Sequence, residues 1–453
     1  MRILVLQFRP ATASRPLPRF DPQLATLLSL MKERGHTLTL VGVSKFELAP
    51  IKSALARALP QLIYADLSPV CVDLARRTLQ VIQETEQLPI VVGGVYPTID
   101  PAASLSLPGV HAAAIGEGDA TLVTYLERMK DPAIGQVVRG VWLRDERGLA
   151  RPEMPMLVED LDSLPLAERE LFETAAQLKR TGEVEVGVGR GCPQACAYCI
   201  NPGVAAIYKA RGAWVRRRSP EHVLDEIDQL RAAYGADIRT VRFLDHSFAL
   251  DPAWLDALLA EYRARCPLPF RCHIRPNSMT DGLAGRLAAA GCRAADIEVI
   301  SGSDFIRNEI FAMNLSGAQI ETAFEALRAA DIRTRAIVYL GSPYESEASL
   351  DETHALLARL KPGLVDVRPY YPFPGTGATD LARSSGWIHT RGEEQFHGDA
   401  AGIDMPACRP AVIAAAVRRF RSDFPTDVGE PWWRRLSQAS LQMFGSVFRR
   451  QDS

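Results

Sequence analysis

Three cysteines stand in the run Gly191-Cys192-Pro193-Gln194-Ala195-Cys196-Ala197-Tyr198-Cys199. This C-x-x-x-C-x-x-C spacing offers three thiolates from one short loop. A 4Fe–4S cluster takes four ligands, so three protein thiolates leave one iron open to something else. An open iron is a reaction centre rather than a structural staple. Structural zinc wants four protein ligands, usually in two pairs, and no Cys or His follows within twenty residues of Cys199. A disulfide framework does not suit a chain of 453 residues with eight cysteines. The other five, Cys71, Cys266, Cys272, Cys292 and Cys408, are scattered singly, as small core residues are. A thioredoxin-like site would use the two-residue spacing alone. Gly191 and Pro193 suit a tight turn around a cluster.

With an aromatic directly before its third cysteine, the motif resembles that of the radical S-adenosylmethionine (SAM) superfamily. The resemblance implies that Cys192, Cys196 and Cys199 hold the cluster and that the amino and carboxylate groups of SAM chelate the open iron. One electron, from a donor such as flavodoxin or ferredoxin, would then cleave SAM to methionine and a 5′-deoxyadenosyl radical. It further implies that Tyr198 packs near the adenine; the alternative is an ordinary packed aromatic.

The elements that must position this loop are α/β throughout. Residues 1–135 alternate strand and helix: strands at Ile3–Leu6, Thr37–Val41, Leu62–Leu67, Pro89–Val92 and Gly109–Ala114, and helices at Gln23–Arg34, Asp73–Glu86 and Leu122–Met129. This order predicts a Rossmann-like, doubly wound parallel sheet with ligands at the carboxyl ends of its strands. The loops there are Gln7–Pro16, Ser68-Pro69, Gly93–Thr98 and Gly116–Asp119. No G-x-G-x-x-G follows the first strand, which disfavours a dinucleotide. The runs Gly93-Gly94-Val95-Tyr96-Pro97-Thr98 and Gly116-Glu117-Gly118 together resemble the cobalamin-binding domain fused to many radical SAM enzymes. Gly93, Gly94, Tyr96, Pro97, Thr98, Gly116, Glu117 and Gly118 are thereby implied cobalamin contacts. The cobalt-ligating D-x-H-x-x-G motif is absent, so no histidine evident in the sequence takes the lower face. The alternative is a cofactor-free domain that only shapes the substrate pocket.

Residues 136–180 read as a connector with a small hairpin and the proline-marked Leu161-Asp162-Ser163-Leu164-Pro165. Residues 181–385 carry six strand–helix units, the first strand running Glu183–Gly189 into the cysteines. Six units fit the partial (β/α)6 barrel of the radical SAM family, with chemistry at the C-terminal ends of the strands. At those ends the resemblance implies SAM contacts from Asp245, His246, Arg275, Ser301 and Gly341. Asp245 suits an ammonium, or caps a helix. Fused relatives often show a second acidic residue where His246 stands. Arg275 suits the SAM carboxylate or a plain salt bridge. Ile300 replaces the family's glutamate, with Glu298 two residues earlier on the same strand face. Tyr370 and Tyr371, before Pro372-Phe373-Pro374-Gly375-Thr376, are candidate substrate-pocket walls or core residues.

Residues 386–453 read as a C-terminal helical region. Its aromatic-basic stretch, Trp432 to Arg450, would pack on the barrel or touch a membrane surface. A net charge of −2 gives no footprint for nucleic acid. No apolar run approaches the ~20 residues of a membrane span, and Met1–Leu6 lacks the features of a signal peptide. Few cysteines and an oxygen-sensitive cluster point to the cytoplasm. The expected function is a cobalamin-dependent radical SAM methyltransferase acting on an unactivated carbon of a small molecule. A radical SAM enzyme that cyclises, rearranges or oxidises without methyl transfer is the first alternative, and a non-catalytic cobalamin or Fe–S sensor the second.

Overall fold

The computed structural model describes residues 1–10, 18–130, 137–145, 148–150, 152–388 and 401–426. The aromatic-basic stretch from Trp432 and most of the loop Gln7–Pro16 lie outside these residues. Two sheets organise the chain.

The first sheet contains β1 (Arg2–Phe8), β2 (Thr37–Val43), β3 (Leu62–Leu67), β4 (Ile90–Gly93) and β5 (Val110–Ala114), then the hairpin β6 (Val141–Asp145) and β7 (Gly148–Ala150). Its order is β2-β1-β3-β4-β5-β6-β7. β1 to β5 pair in parallel, and the hairpin adds two antiparallel edge strands. β3 and β4 are buried at every position. That is the signature of a parallel sheet covered by helices on both faces. The strand order reverses between β1 and β3, which opens a crevice at their carboxyl ends.

Three features of this half differ from the sequence reading. A helix at Leu48–Ala58 fills the crossover after β2; Pro50 conceals it, although proline is tolerated in a first helical turn. The run Val95–Ile99 is a helical turn, so Tyr96 and Pro97 face the packed interior rather than an open loop. The hairpin read as part of a connector completes the first sheet.

The second sheet begins at β8 (Glu183–Val186). A two-stranded antiparallel clasp follows, β9 (Gly189–Arg190) with β10 (Arg216–Arg217), and closes the base of the cysteine loop. The sheet continues through β11 (Thr240–Phe243), β12 (Phe270–Ile274), β13 (Cys292–Ile300), β14 (Arg333–Leu340) and β15 (Leu364–Pro369). The six strands pair in parallel and in chain order through five neighbouring pairs, giving the expected open (β/α)6 half-barrel. Helices at Pro220–Tyr234, Pro252–Arg265, Leu283–Ala290, Gly317–Ala329 and Glu347–Leu360 cover its outside. Their apolar faces and the outward strand residues form one hydrophobic cluster. Among the described residues no helix is long and apolar enough to cross a membrane.

Candidate functional site

The cysteine loop is held from several sides. Trp214 Nε1 donates to the Cys192 carbonyl at 3.1 Å. The Ala197 amide donates to the Phe311 carbonyl at 2.9 Å, and the Ala197 carbonyl accepts from the Ala378 amide at 2.9 Å. Cys196 is buried, whereas Cys192 and Cys199 are half-buried. Burial pushes the Cys192 thiol up, and the Cys199 thiol to about 11. Arg275 Nη1 donates to Cys196 Sγ at 3.3 Å. All eight cysteines are free. Among the described residues no three His, Cys, Asp or Glu side chains converge as a single ion's ligands would. A cubane does not require that, because each cysteine sulfur binds a different iron. Three free sulfurs on one loop, with an N–H aimed at the buried one, fit a 4Fe–4S cluster.

The inner face of the half-barrel is ionic. Strand residues two apart share a face, and here that face carries Glu183 and Glu185, Arg242, Arg271 and His273, Asp296 and Glu298, Arg335, Asp366 and Arg368. Asp296, fully enclosed, lies 2.9 Å from Arg335 and 3.7 Å from Arg242. Burial pushes the Asp296 carboxyl up, but Arg271 and Arg335 outweigh it and hold it far below the usual carboxylate range. The His273 ring stacks on His246 at 4.2 Å between centroids. Burial and the His246 charge keep His273 neutral.

One step nearer the cysteines, Glu298 gathers three partners. His246 Nδ1 lies 2.5 Å from Oε1, while the Tyr198 hydroxyl donates to Oε2 at 3.4 Å and Arg275 approaches it at 3.5 Å. His246 lies deep in the barrel mouth, yet its ring stays accessible, 59% exposed. Burial alone would lower its pKa; the Glu298 hydrogen bond and charge raise it overall. The strand bulges between Glu298 and Ile300, and Ile300 adopts φ +63°, a costly conformation for a β-branched residue. The bulge turns Ile300 into the core and leaves Glu298 as the carboxylate beside the cysteine loop.

The first sheet's glycine loops reach the same place. The Thr98 hydroxyl accepts from the Gly116 amide at 2.8 Å and donates to the Gly94 carbonyl at 2.8 Å. Gly94 (φ +92°) leaves no room for a Cβ against Asp66, nor does Gly116 (φ +78°) against the Tyr208 hydroxyl. That hydroxyl accepts from the Glu117 amide at 2.6 Å. The Glu117 carboxylate pairs with Arg190 of β9 at 2.8 Å and with Arg216 of β10. Arg190 also pairs with Asp119. The second glycine loop is thus salt-bridged to the clasp that carries the cysteines. Between the two halves lies a cavity of about 640 Å³, lined by Gly94, Thr98 and Gly116–Gly118 on one side and by His246, Glu298 and Tyr339 on the other.

The expected site residues divide accordingly. Tyr198, His246 and Arg275 gather at Glu298. Asp245 does not present a free carboxylate: its Oδ2 accepts from the Val188 amide at 2.7 Å, pinning the chain between β8 and β9. Ser301 is fully buried against Thr353 and the Ser303 amide. Gly341 packs on Ile413 and donates its amide to Glu345 at 3.2 Å, away from the cavity. Tyr370 is buried on Phe311, and Tyr371 packs against the first sheet's core; neither lines the cavity. Gly94, Thr98, Gly116, Glu117 and Gly118 line it. Gly93 instead backs the Tyr64 ring, and Tyr96 and Pro97 are turned inward. Glu117 is committed to the two arginines. Arg190, Arg216, Tyr208, Trp214 and Asp296 went unnoticed in the sequence. Polar residues at every second position of otherwise apolar strands were the signal for Asp296.

Residues 186–357 match the radical SAM superfamily model. The cytidylyl-2-hydroxyethylphosphonate methyltransferase of Streptomyces wedmorensis is 27% identical over 184 residues, 34% of this chain and 33% of that protein. An anaerobic magnesium-protoporphyrin IX monomethyl ester cyclase of Synechocystis is 28% identical over 256 residues, 52% of this chain and 48% of that protein. The chain therefore spans a third to a half of the length of these curated relatives. Among solved structures, the radical SAM methyltransferase TsrM of Kitasatospora setae, determined with cobalamin and a 4Fe–4S cluster, superposes with a TM-score of 0.68 at 18% identity. That match covers 92% of this chain and 81% of TsrM. The cobalamin-dependent radical SAM enzyme OxsB gives 0.65 at 18% identity, over 93% of this chain and 61% of OxsB. These two likenesses show a shared two-sheet architecture.

Proposed function

Because residues 186–357 form a radical SAM domain, we propose that the whole chain is a cobalamin-dependent radical SAM methyltransferase acting on a small molecule. One observation carries the reading: Gly191, Ile200 and Asn201, which flank the three cysteines, line the same cavity as the glycine loops, and the two sides are joined through Glu117. Cys192, Cys196 and Cys199 would hold the cluster. Gly94, Thr98, Gly116 and Gly118 offer the corrinoid a small, backbone-lined wall at the ends of the first sheet, where bulkier residues would intrude. With these groups bound, the site would have one-electron reduction of SAM on one side and a transferable methyl group on the other.

The chain's own residues do the positioning. Arg275 directs an N–H at Cys196 Sγ and would hydrogen-bond that sulfur when it ligates a cluster. Glu298 is the carboxylate that faces the cavity, with both oxygens held by His246, Tyr198 and Arg275; a cationic group such as the SAM ammonium would take the place of one of them. Asp245 fixes the chain entering the cysteine loop.

A second reading, radical chemistry without methyl transfer, draws on the cyclase relative. One experiment separates the two. The protein is purified without oxygen and reconstituted, its iron, sulfide and cobalamin are quantified, and SAM products are identified by mass spectrometry in an extract of small molecules. Methyl transfer predicts bound cobalamin, S-adenosylhomocysteine and a product heavier by one methylene. Deoxyadenosine with no methylated product and no retained cobalamin overturns it in favour of the second reading.

A further inference from the structure

Arg19 lies just before the helix Pro22–Glu33, and its side chain lines the cavity. Its backbone is clamped by the fully buried Gln7, which accepts from the Arg19 amide at 2.8 Å and donates to the Arg19 carbonyl at 2.7 Å. A reciprocal clamp of this kind fixes where the side chain starts. The guanidinium itself makes no hydrogen bond or ion pair among the described residues. Such a group, largely out of water and unpaired, is costly.

Charges of both signs surround it, the acidic Glu185 and Asp21 acting more strongly than the arginines. Arg9 and Arg368 also line the cavity, and both act on Arg19 as like charges. Arg9 is paired with Asp66 at 2.7 Å. Arg368 is braced by both oxygens of Asp366, at 2.9 and 2.6 Å, yet stays 56% exposed. Burial lowers the Arg19 pKa more than Glu185 and Asp21 restore it. Arg19 belongs to the first half of the chain and Arg368 to the last barrel strand, so only the assembled cavity brings them together.

We propose that Arg19 and Arg368 form an oxyanion subsite that receives a carboxylate or phosphoryl group of the substrate. The planar fork of Arg19 matches such a group in bidentate fashion, while Arg368, whose Nε and Nη2 are held by Asp366, would add its Nη1 and its charge. The arginine at the cysteine loop, Arg275, is already engaged with Cys196, Glu298 and the Met313 carbonyl. The inference deepens the proposed function by giving its substrate a charge class, and rests on that reading for the word substrate.

The test is equilibrium binding of inorganic phosphate to the full-length protein by calorimetry, with and without bound cobalamin. Wild type should bind one phosphate per chain in both states. Arg19→Gln and Arg368→Gln should each weaken it about tenfold, the worth of one charge-assisted hydrogen bond. Arg19→Lys should recover part of the loss, and SAM and cobalamin stoichiometry should stay at the wild-type level. Arg368 is well exposed, so its variant reads the subsite even where Arg19→Gln disturbs folding. Equal phosphate affinity in wild type and both glutamine variants overturns the subsite. Phosphate binding abolished by cobalamin overturns the substrate assignment, because the anion would then be the cofactor's own phosphodiester. Neither result depends on SAM cleavage or methyl transfer, so this proposal can fail while the proposed function stands.

Discussion

The two sheets reach the cavity by opposite constructions. In the first, β3 and β4 are buried on both faces, and the cavity is met by the loops and by residues near the strand ends, Gln7, Tyr64 and Asp66. In the half-barrel the strands alternate, β8 as half-buried and buried in turn, and the inner face carries charge along much of its length. A doubly covered sheet can offer a ligand only its end, so glycines and backbone do the work there. An open barrel offers a whole face, and that face can be ionic because each charge finds an opposite one across the neighbouring strand. The glycine loops at the first sheet's end are therefore small, with Arg9, Arg19 and Asp66 beside them, and the barrel lining carries mutually paired charges.

The sharpest break of this contrast is at the cysteines. Cys196→Ala should reduce reconstituted iron to background and abolish reductive SAM cleavage, measured by iron assay and chromatography. A variant that keeps full SAM cleavage would mean the cluster lies elsewhere.

Next comes the ionic face. Asp296→Asn leaves Arg242, Arg271 and Arg335 facing one another with less compensation. Removing one member of a buried ion network costs about 3–5 kcal/mol, so urea unfolding should show a loss of that order. A loss under about 1 kcal/mol, the range of exposed pairs, would show that water screens the lumen.

The smallest effect is at the joint between the halves. Glu117→Gln removes a charge shared by Arg190 and Arg216, but Arg190 retains Asp119 and Arg216 retains the Val158 carbonyl. A loss of about 1–3 kcal/mol follows. It should also depend on pH. Burial pushes the Glu117 carboxyl up, and the two arginines more than reverse this, leaving it below its usual 4.5. A carboxyl depressed in the folded state stabilises above its unfolded pKa and loses that contribution as pH falls through the folded value. Stability of the wild type should therefore fall more steeply than that of Glu117→Gln below about pH 4.5. Parallel acid profiles would mean the joint carries no net charge coupling.

Much of this was legible beforehand, and the misses share a cause. Strand and helix positions followed hydrophobic period and caps: Ser219 accepts from the His222 amide at 3.1 Å and Pro220 opens its helix, as their types imply. The cysteine loop was recognisable because its chemistry lies within eight consecutive residues. Asp245 and Ser301 stood at suitable strand ends, but a strand end does not say which way a side chain turns. Asp245 turned to the Val188 amide and Ser301 to Thr353. Ile300 was a visible departure, while the bulge that makes Glu298 its replacement depends on β13 pairing with β14.

The sequence by itself determined the six-unit barrel, the preceding parallel sheet and the three thiolates, because these depend on spacing within short segments. The tertiary structure decided which residues share the cavity. Arg19 and Arg368 line one cavity across 349 positions of chain and Glu117 meets Arg216 across 99, and no local pattern encodes the meeting of residues that far apart. Charge pairs close only when packing has brought their strands and loops together, so their partners were set by the fold and not by the motif.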